Sequence, residues 1–521
     1  MIVVLTIIWF IYMFYTTKDA LHMLQQNLYD DDFRYFKWIN KNFSRIMLSF
    51  TLSQLFLIFF ILFAKNSVVT PILFVSIYLL LNIRSFGIRH SLVIKKHLVV
   101  TARVKRLLFT LFVVVFFMIY YGLQLNIDYY LILSFIGYFI YYIVLIVSKI
   151  NKPVEKCVFL DFRRQAVNKL KSMPNLKVIG ITGSYGKTSS KNILNEILSV
   201  KYNSLPTPRN LNTPYGLIMT INNNLDKFDE IFIAEMGAYK IGEIQELCDL
   251  VHPKYGILTR IGKAHLELFG SQGNIQKGKF ELIESLPSDG VGVLNSDDPL
   301  QVNYKLKNNV KIIWIGIDND ADYRATNIKV KNTGTSFDLI IKGDKNKYNF
   351  ETKLLGYANI YNILAGIALG HYLGIDINKL QRAVKNVNPV EHRLEMKANG
   401  DIYYIDDAYN SNPVGAAMAL DVLNMMPGKK IVVTPGMIEL GSIEDEENMK
   451  FGEHIALVAD EVILVGREQI KAIYTGLKNI DYSEDHIHIL EDVIDAFPLI
   501  EKLKGEETYV LLENDLPDVF R

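Results

Sequence analysis

The chain has 521 residues, half of them hydrophobic, with 56 Lys and Arg against 55 Asp and Glu. A net charge of +1 leaves no global field to gather nucleic acid or another polyanion, and the length calls for two to four domains. The two cysteines, Cys157 and Cys248, lie far apart in sequence, a usage that fits a reducing compartment with no disulfide framework; two lone buried thiols are commoner than a structural pair.

The hydrophobic residues are concentrated at the N-terminus. Apolar stretches at about 2–17, 46–64, 67–83, 107–127 and 129–148 predict a transmembrane region over 1–150 with five helical spans. The first lacks the basic start and small-residue cleavage site of a secretory signal, so it reads as a retained anchor. The third is the shortest and contains Pro71; with the second it forms either two spans or a re-entrant hairpin. Phe59, Phe60 and Phe63 leave no polar face, which disfavours a soluble bundle. Loop 18–45 carries Lys18, Arg34, Lys37, Lys41 and Arg45, and loop 84–106 carries Arg84, Arg89, Lys95, Lys96, Arg103, Lys105 and Arg106. The short loops between spans hold only Lys65 and Asp128. That asymmetry predicts a multi-pass membrane protein with both basic loops cytoplasmic, the N-terminus outside, and everything after Lys149 in the cytoplasm.

From residue 151 strands alternate with helices. Val178–Thr182, Ile231–Glu235, Tyr255–Thr259 and Val291–Leu294 are predicted buried strands, and Ser189–Val200 is a helix. Segment 323–353 alternates like antiparallel strands, and Asn359–Leu373 is helical. A second series starts near Ile402 and continues through Ile431–Thr434, Val462–Val465, Ile487–Ile489 and Tyr509–Leu512. This is an α/β pattern, with parallel sheets covered by helices on both faces. A boundary near Asn388–Pro389 gives domains at 151–388 and 389–521.

Between the first strand and its helix runs Thr182-Gly183-Ser184-Tyr185-Gly186-Lys187-Thr188-Ser189. Glycines let backbone N–H groups approach a phosphate, and the helix N-terminus adds positive potential. Lys187 can reach the β and γ phosphates of ATP, and the Thr188 hydroxyl can ligate Mg²⁺. Glycine turns between strand and helix are common without a ligand, and Ile181 stands where the general pattern has glycine; the Gly-Lys-Thr ending favours nucleotide binding. Glu235-Met236-Gly237 ends the next strand, where a carboxylate can hold Mg²⁺ beside a phosphate loop, although strand-terminal Glu is usually just solvated. Ala264-His265-Leu266-Glu267 follows the strand after that; a lone His there is more often structural than a ligand.

Taken with Asn295-Ser296-Asp297-Asp298-Pro299 and Asp406-Asp407-Ala408-Tyr409-Asn410-Ser411-Asn412-Pro413, these segments occur in one order that resembles the Mur ligase family, over roughly 175–470. The resemblance is greatest to the branch that adds D-alanyl-D-alanine to a muramoyl tripeptide. It implies a P-loop-type central ATPase domain, a Rossmann-like C-terminal domain, and an ATP-dependent acid–amino-acid ligase acting through an acyl phosphate. By position it assigns ATP to Thr182, Gly183, Ser184, Tyr185, Gly186, Lys187, Thr188 and Ser189, with Asn295 at the adenine. It assigns two Mg²⁺ sites to Thr188, Glu235, His265 and a carbamylated lysine. The run Lys279-Phe280-Glu281-Leu282 assigns the carbamate to Lys279, with Lys277 as the alternative. Arg393, in Pro389-Val390-Glu391-His392-Arg393, matches an arginine that meets the γ-phosphate, and Asp406 or Asp407 the acidic residue that closes the site. Thr207–Gly216 resembles the substrate-side loop. The implied partners are ATP, an amino-acid or dipeptide amine donor, and a cell-wall acceptor.

The chain also departs from the family pattern. Arg260 stands for an Asn, the helix start Gly356-Tyr357-Ala358-Asn359 lacks a His, Asn412-Pro413-Val414-Gly415 lacks a Ser, and Gly436 precedes Met437-Ile438-Glu439-Leu440-Gly441 in place of Asp. Five membrane spans occupy the place of the family's N-terminal domain, which binds a uridine diphosphate sugar; this suggests a membrane-bound, lipid-linked acceptor. Two alternatives remain open: a polyglutamate- or capsule-type amide ligase, and a membrane scaffold that binds ATP without catalysis.

Overall fold

The computed structural model describes residues 2–49, 51–63, 68–91, 97–409, 411–438 and 440–515. Lys65, Lys95, Lys96, Asn410 and Glu439, named above, lie outside the described residues. The chain divides into two compact units, one running to Leu160 and the other starting at Asp161.

The first unit is helical. Val3–Gln26, Val69–Phe86 and Ala102–Gln124 are long and apolar enough to cross a membrane. Tyr129–Tyr138 and Ile140–Lys171 qualify only as a pair, bent by 77° at the break between them, which makes a broken span or a re-entrant loop. Against the five expected crossings, three helices among the described residues, or four spans with the bent pair, meet that length and composition. The shortfall lies in the second expected span. There Ser44–Ser49 winds into a π-helical turn, and the α-helix that follows, Leu52–Phe63, has 12 residues. At 1.5 Å per residue it reaches about 18 Å, short of a hydrocarbon core of about 30 Å. The third expected span is not shortened by its proline: Pro71 falls in the first turn of the helix Val69–Ser91, where a missing N–H removes no helical bond. Trp9, Tyr12, Leu57, Phe74, Tyr78 and Leu133 pack inside this unit. Phe10, Phe14, Phe109, Phe112 and Phe116 point outward and are exposed, a surface suited to lipid and costly in water.

Among the described residues the second unit holds 15 strands in two sheets. The strands of the first sheet are β1 (Lys177–Thr182), β2 (Ser204–Pro206), β3 (Ile231–Glu235), β4 (Tyr255–Leu258), β5 (Val291–Asn295), β6 (Lys311–Gly316), β7 (Tyr323–Lys331), β8 (Gly334–Ile341) and β9 (Lys347–Thr352). Their order is β2-β3-β1-β4-β5-β6-β7-β8-β9. Pairing is parallel through β6–β7 and antiparallel from β7 to β9, as the alternation in 323–353 predicts. Strand side chains alternate between faces. Ile179, Ile181, Ile231 and Ile233 meet the helices Lys187–Leu198 and Gly356–Tyr372 on one face. On the other face the sheet comes so close to the helix Gln272–Glu284 that a Cβ on Gly180 would lie 2.5 Å from Leu282 Cδ1.

The strands of the second sheet are β10 (Glu395–Asn399), β11 (Ile402–Asp407), β12 (Lys429–Thr434), β13 (Glu461–Val465), β14 (Ile487–Leu490) and β15 (Thr508–Glu513), in the order β10-β11-β15-β12-β13-β14. All pairs are parallel except β10–β11. Val432 and Leu511 belong to one apolar core while Ile431 and Val510 belong to another, so both faces are covered. The sequence reading missed β2, β6 and β10. Of the cysteines, Cys248 is buried and Cys157 exposed.

Candidate active site

The strand-to-helix turn after β1 carries the phosphate-loop motif. Gly183 has φ of 150°, and a Cβ there would lie 1.9 Å from Thr259 Oγ1. No residue with a side chain fits that position. Gly186 has φ of 77° and caps the helix Lys187–Leu198, whose first N–H groups have no partner within the helix. Thr182 Oγ1 donates to Met236 O (2.8 Å) and Ser184 Oγ to Gly262 O (3.1 Å), fastening the loop to its neighbours. The Tyr185 ring lies against Gly262, where a Cβ would come within 2.3 Å of it, and burial pushes its phenol pKa up.

Lys187 Nζ donates to Gly183 O at 2.9 Å and Ser184 O at 3.4 Å. Burial lowers its pKa; Glu235 opposes that shift and Arg393 adds to it. Glu235, at the end of β3, has both carboxylate oxygens occupied. Oε1 accepts from Thr188 Oγ1 (3.1 Å) and Asn212 Nδ2 (3.0 Å), and Oε2 from Lys191 Nζ (3.0 Å). Lys191 and Glu235 are each 1% exposed, and Lys191 also donates to Arg209 O. Glu235 N donates to Thr207 Oγ1 (3.1 Å) and Gly237 N to Asn212 O (2.8 Å), so the loop 207–212 is stitched to the strand end. Lys191 was missed in the sequence. The signal was its i+4 spacing from Lys187, which puts both on one helix face.

His265, with φ of 58°, begins the short helix Leu266–Phe269 and sets its ring edge-on to Tyr239 at 4.7 Å. Lys279 is buried within the helix Gln272–Glu284, with Nζ 3.3 Å from Ala238 O and 5.3 Å above the Phe269 ring. Burial, joined by repulsion from Lys187, holds its pKa well below that of an ordinary lysine. Lys277 is exposed.

Ser184 through Ser189, Ala264 and His265 line a cleft whose facing wall is Arg393, Ser411, Asn412, Ile438 and Leu440. The structure thus brings Lys187, Thr188, His265 and Arg393 together, with Glu235 bonded to Thr188 behind them. Asn295 does not line the cleft: its Oδ1 accepts from Asp297 N (2.9 Å) and its N donates to Gln301 Oε1 (2.9 Å), so it shapes the turn after β5. Arg260 O accepts from Ser184 N at 2.9 Å, and its guanidinium acts electrostatically on Tyr185.

Adjacent strand residues face opposite ways, and this separates the two aspartates. Asp406 accepts from Lys397 Nζ (2.7 Å) and His392 Nδ1 (2.8 Å). Burial raises its pKa, but these bonds outweigh burial and the net shift is downward. Asp407 accepts from Leu394 N (3.2 Å), and burial pushes its pKa up to about 6 against the pull of Arg393. The Arg393 guanidinium lies 4.2 Å over the Tyr409 ring. Among the described residues no group of three or more His, Cys, Asp and Glu side chains is arranged to hold a metal; two of the four expected Mg²⁺ ligands are a threonine and a lysine.

Residues 181–370 match the Mur ligase middle domain, and residues 392–513 match the domain described as "Mur ligase, glutamate ligase domain". The chain is 33% identical over 296 residues to the UDP-N-acetylmuramoyl-tripeptide--D-alanyl-D-alanine ligase of Escherichia coli, covering 56% of this chain and 65% of that protein. With the protein of the same name from Bacillus subtilis it is 33% identical over 284 residues, 54% of this chain and 60% of the relative. The chain thus spans somewhat less than two thirds of each relative's length. Among solved structures, MurF ligase from Thermotoga maritima in complex with ADP superposes with a TM-score of 0.62 at 25% identity, over 68% of this chain and 80% of that one. MurF from Acinetobacter baumannii gives 0.63 at 25% identity, over 68% and 77%.

Proposed function

We propose, for a chain that belongs to the Mur ligase family, an ATP-dependent ligase that joins a carboxylate to an amine on a peptidoglycan-type cell-wall precursor. The observation that carries this reading is the cleft itself, where phosphate-loop residues Lys187 and Thr188 face Arg393, which precedes β10 of the other sheet. Attack of the acceptor carboxylate on the γ-phosphate forms an acyl phosphate and releases ADP. The amine then attacks the acyl carbon and phosphate leaves. The loop amides and Lys187 hold the phosphates, and Arg393 meets the transferred group from the facing wall. His265 and Ser189 line the same cleft.

The donor set fits Mg²⁺: the Thr188 hydroxyl, the Glu235 carboxylate, His265, and a carbamate on Lys279. Bound there, Mg²⁺ would neutralise phosphate charge. A carbamate forms only on an unprotonated amine. The buried Lys279, with its lowered pKa, suits that chemistry, while Lys277 is exposed on the same helix. Asn295 reaches the adenine only if the turn after β5 rearranges. Of the two acids, Asp407 is the one near Arg393. The amine donor is an amino acid or dipeptide.

We place the ligase domains on the cytoplasmic side, where ATP is. Both basic loops share that side, with the N-terminus outside, only if 44–63 crosses along with the three long helices and the bent pair. Accessibility tags at the N-terminus and at Asp128 test this, and an N-terminal tag found in the cytoplasm rejects five crossings. The membrane region favours a lipid-linked acceptor. Full-length protein given ATP, Mg²⁺, D-alanyl-D-alanine and either soluble nucleotide-linked or lipid-linked tripeptide precursor should release ADP and form new amide with the lipid-linked form. Turnover of the soluble form alone rejects the lipid-linked acceptor, and amide formation without ADP release rejects the ligase.

A further inference from the structure

The wall of the cleft that holds Arg393 is built on the carboxyl ends of parallel strands, where α/β sheets present their functional groups. There β11 ends in Asp407 and β15 in Glu513. The two residues are direct register partners, so their side chains leave neighbouring strands on the same face. Glu513 is 1% exposed, and its Oε1 accepts a 2.6 Å hydrogen bond from Ser411 Oγ. Its Oε2 is buried without a hydrogen-bond partner among the described residues. Ser411 and Arg393 both line the cleft, and Arg393 acts electrostatically on both acids. Nothing in the resemblance or the reaction above uses Glu513. A buried carboxyl with an unpartnered oxygen is costly to keep unless it serves something else.

We propose that Glu513 is a positioning residue of the ligation site: paired with Asp407 and bonded to Ser411, it sets the stance and net charge of the wall that presents Arg393 to the phosphates. This rests on the ligase reading given above. The charged and titratable groups facing the pair are Arg393, from the segment before β10, and Asp406, from β11 itself. Ser411, after β11, supplies the neutral contact. Two crowded acids, Glu513 buried and Asp407 half-buried, do not both ionise readily beside one arginine. Burial first, and Asp407 second, drive the Glu513 pKa well upward. With Asp407 ionised and Glu513 neutral, Arg393 is matched charge for charge. When Glu513 also ionises at higher pH, the wall becomes net negative, draws Arg393 back and repels a triphosphate.

The test is binding of the non-hydrolysable ATP analogue AMP-PNP with Mg²⁺ to the full chain, by calorimetry across pH. Wild type should lose about tenfold in affinity as Glu513 ionises, the scale of one unit charge a few ångströms from phosphate. Glu513→Gln, neutral throughout and close in shape, should flatten that alkaline limb. Glu513→Asp should keep it. Asp407→Asn removes the neighbour that resists the ionisation of Glu513, so the limb should move to lower pH; this second variant decides the matter if Glu513→Gln does not fold. A purely structural role would change affinity equally at every pH. An unchanged alkaline limb in Glu513→Gln, or an unmoved limb in Asp407→Asn, overturns the proposal while leaving the ligase reading intact. Wild type that binds no AMP-PNP at any pH overturns both.

Discussion

The two walls of the cleft treat their carboxylates in opposite ways. On the nine-stranded sheet, Glu235 has donors on both oxygens and a buried ammonium beside it. On the six-stranded sheet, Asp407 and Glu513 crowd one arginine, and one Glu513 oxygen has no hydrogen-bond partner among the described residues. A carboxylate with donors on both oxygens is held in one position. A crowded pair must keep a proton, so its charge answers to pH and to whatever enters the cleft. One wall is a fixed cradle and the other an adjustable one.

The fixed wall is broken most severely by leaving one of its charges alone. Lys191→Met strands the Glu235 carboxylate in a dry site and should cost about 3–5 kcal/mol, while Lys191→Met with Glu235→Met should recover most of it. Thermal melting of both proteins in detergent checks the ordering. If the double variant melts no higher than the single one, the ion pair does not dominate that wall.

Lys187→Ala tests chemistry on the same wall while leaving the Lys191–Glu235 hydrogen bond in place. Turnover of ATP should fall about 10²–10³-fold, the cost of removing a charge aimed at the reacting phosphates. Its melting temperature should not drop, because the Lys187 ammonium is held at a desolvation penalty. ADP release and a melting curve on one preparation separate the two effects.

What the sequence made legible divides along the same line. The fixed wall is local: Gly183, Gly186, Lys187 and Thr188 fall within one turn, and Glu235 ends a strand whose apolar run is plain. The adjustable wall is assembled from distance. Glu513 lies 106 residues beyond Asp407, and only strand pairing makes them neighbours. Asp406 and Asp407 could not be told apart as letters, because a one-residue step reverses the face and only the sheet fixes which face meets Arg393. Asn295 matched a family position, yet its side chain is spent on the turn it starts. The antiparallel strands of 323–353 were legible from their alternation, although a bulge between Thr326 and Lys329 shifts its phase, whereas β2 is too short to show a pattern. In the helical unit, hydropathy counted five apolar runs but carried no sign of the π turn at Ser44–Ser49 or the break after Tyr138.

On the adjustable wall, Asp407→Asn should stabilise the protein by about 2–3 kcal/mol above pH 6 or so. The sign follows from the raised pKa. The folded protein disfavours the ionised carboxyl, so the penalty is absent below the ordinary carboxylate pKa and complete once pH has risen through about 6. Melting of variant and wild type should therefore converge near pH 4 and diverge at neutrality. Equal melting at both values would mean that Arg393 fully compensates Asp407. The smallest effect expected is that of Lys277→Ala: exposed on the helix that buries Lys279, it should change stability by less than about 0.5 kcal/mol and leave turnover unchanged. A large loss of turnover would move the carbamate to Lys277.

The most direct measurement is a structure of the full chain with AMP-PNP and Mg²⁺. The terminal phosphates should lie against the amides of Gly183–Thr188, within reach of Lys187 on one side and Arg393 on the other, with the metal on Thr188 and Glu235 and the Lys191 ammonium displaced from that carboxylate. A nucleotide bound elsewhere, or one held at the loop with Arg393 turned away and no metal at Glu235, would contradict the account.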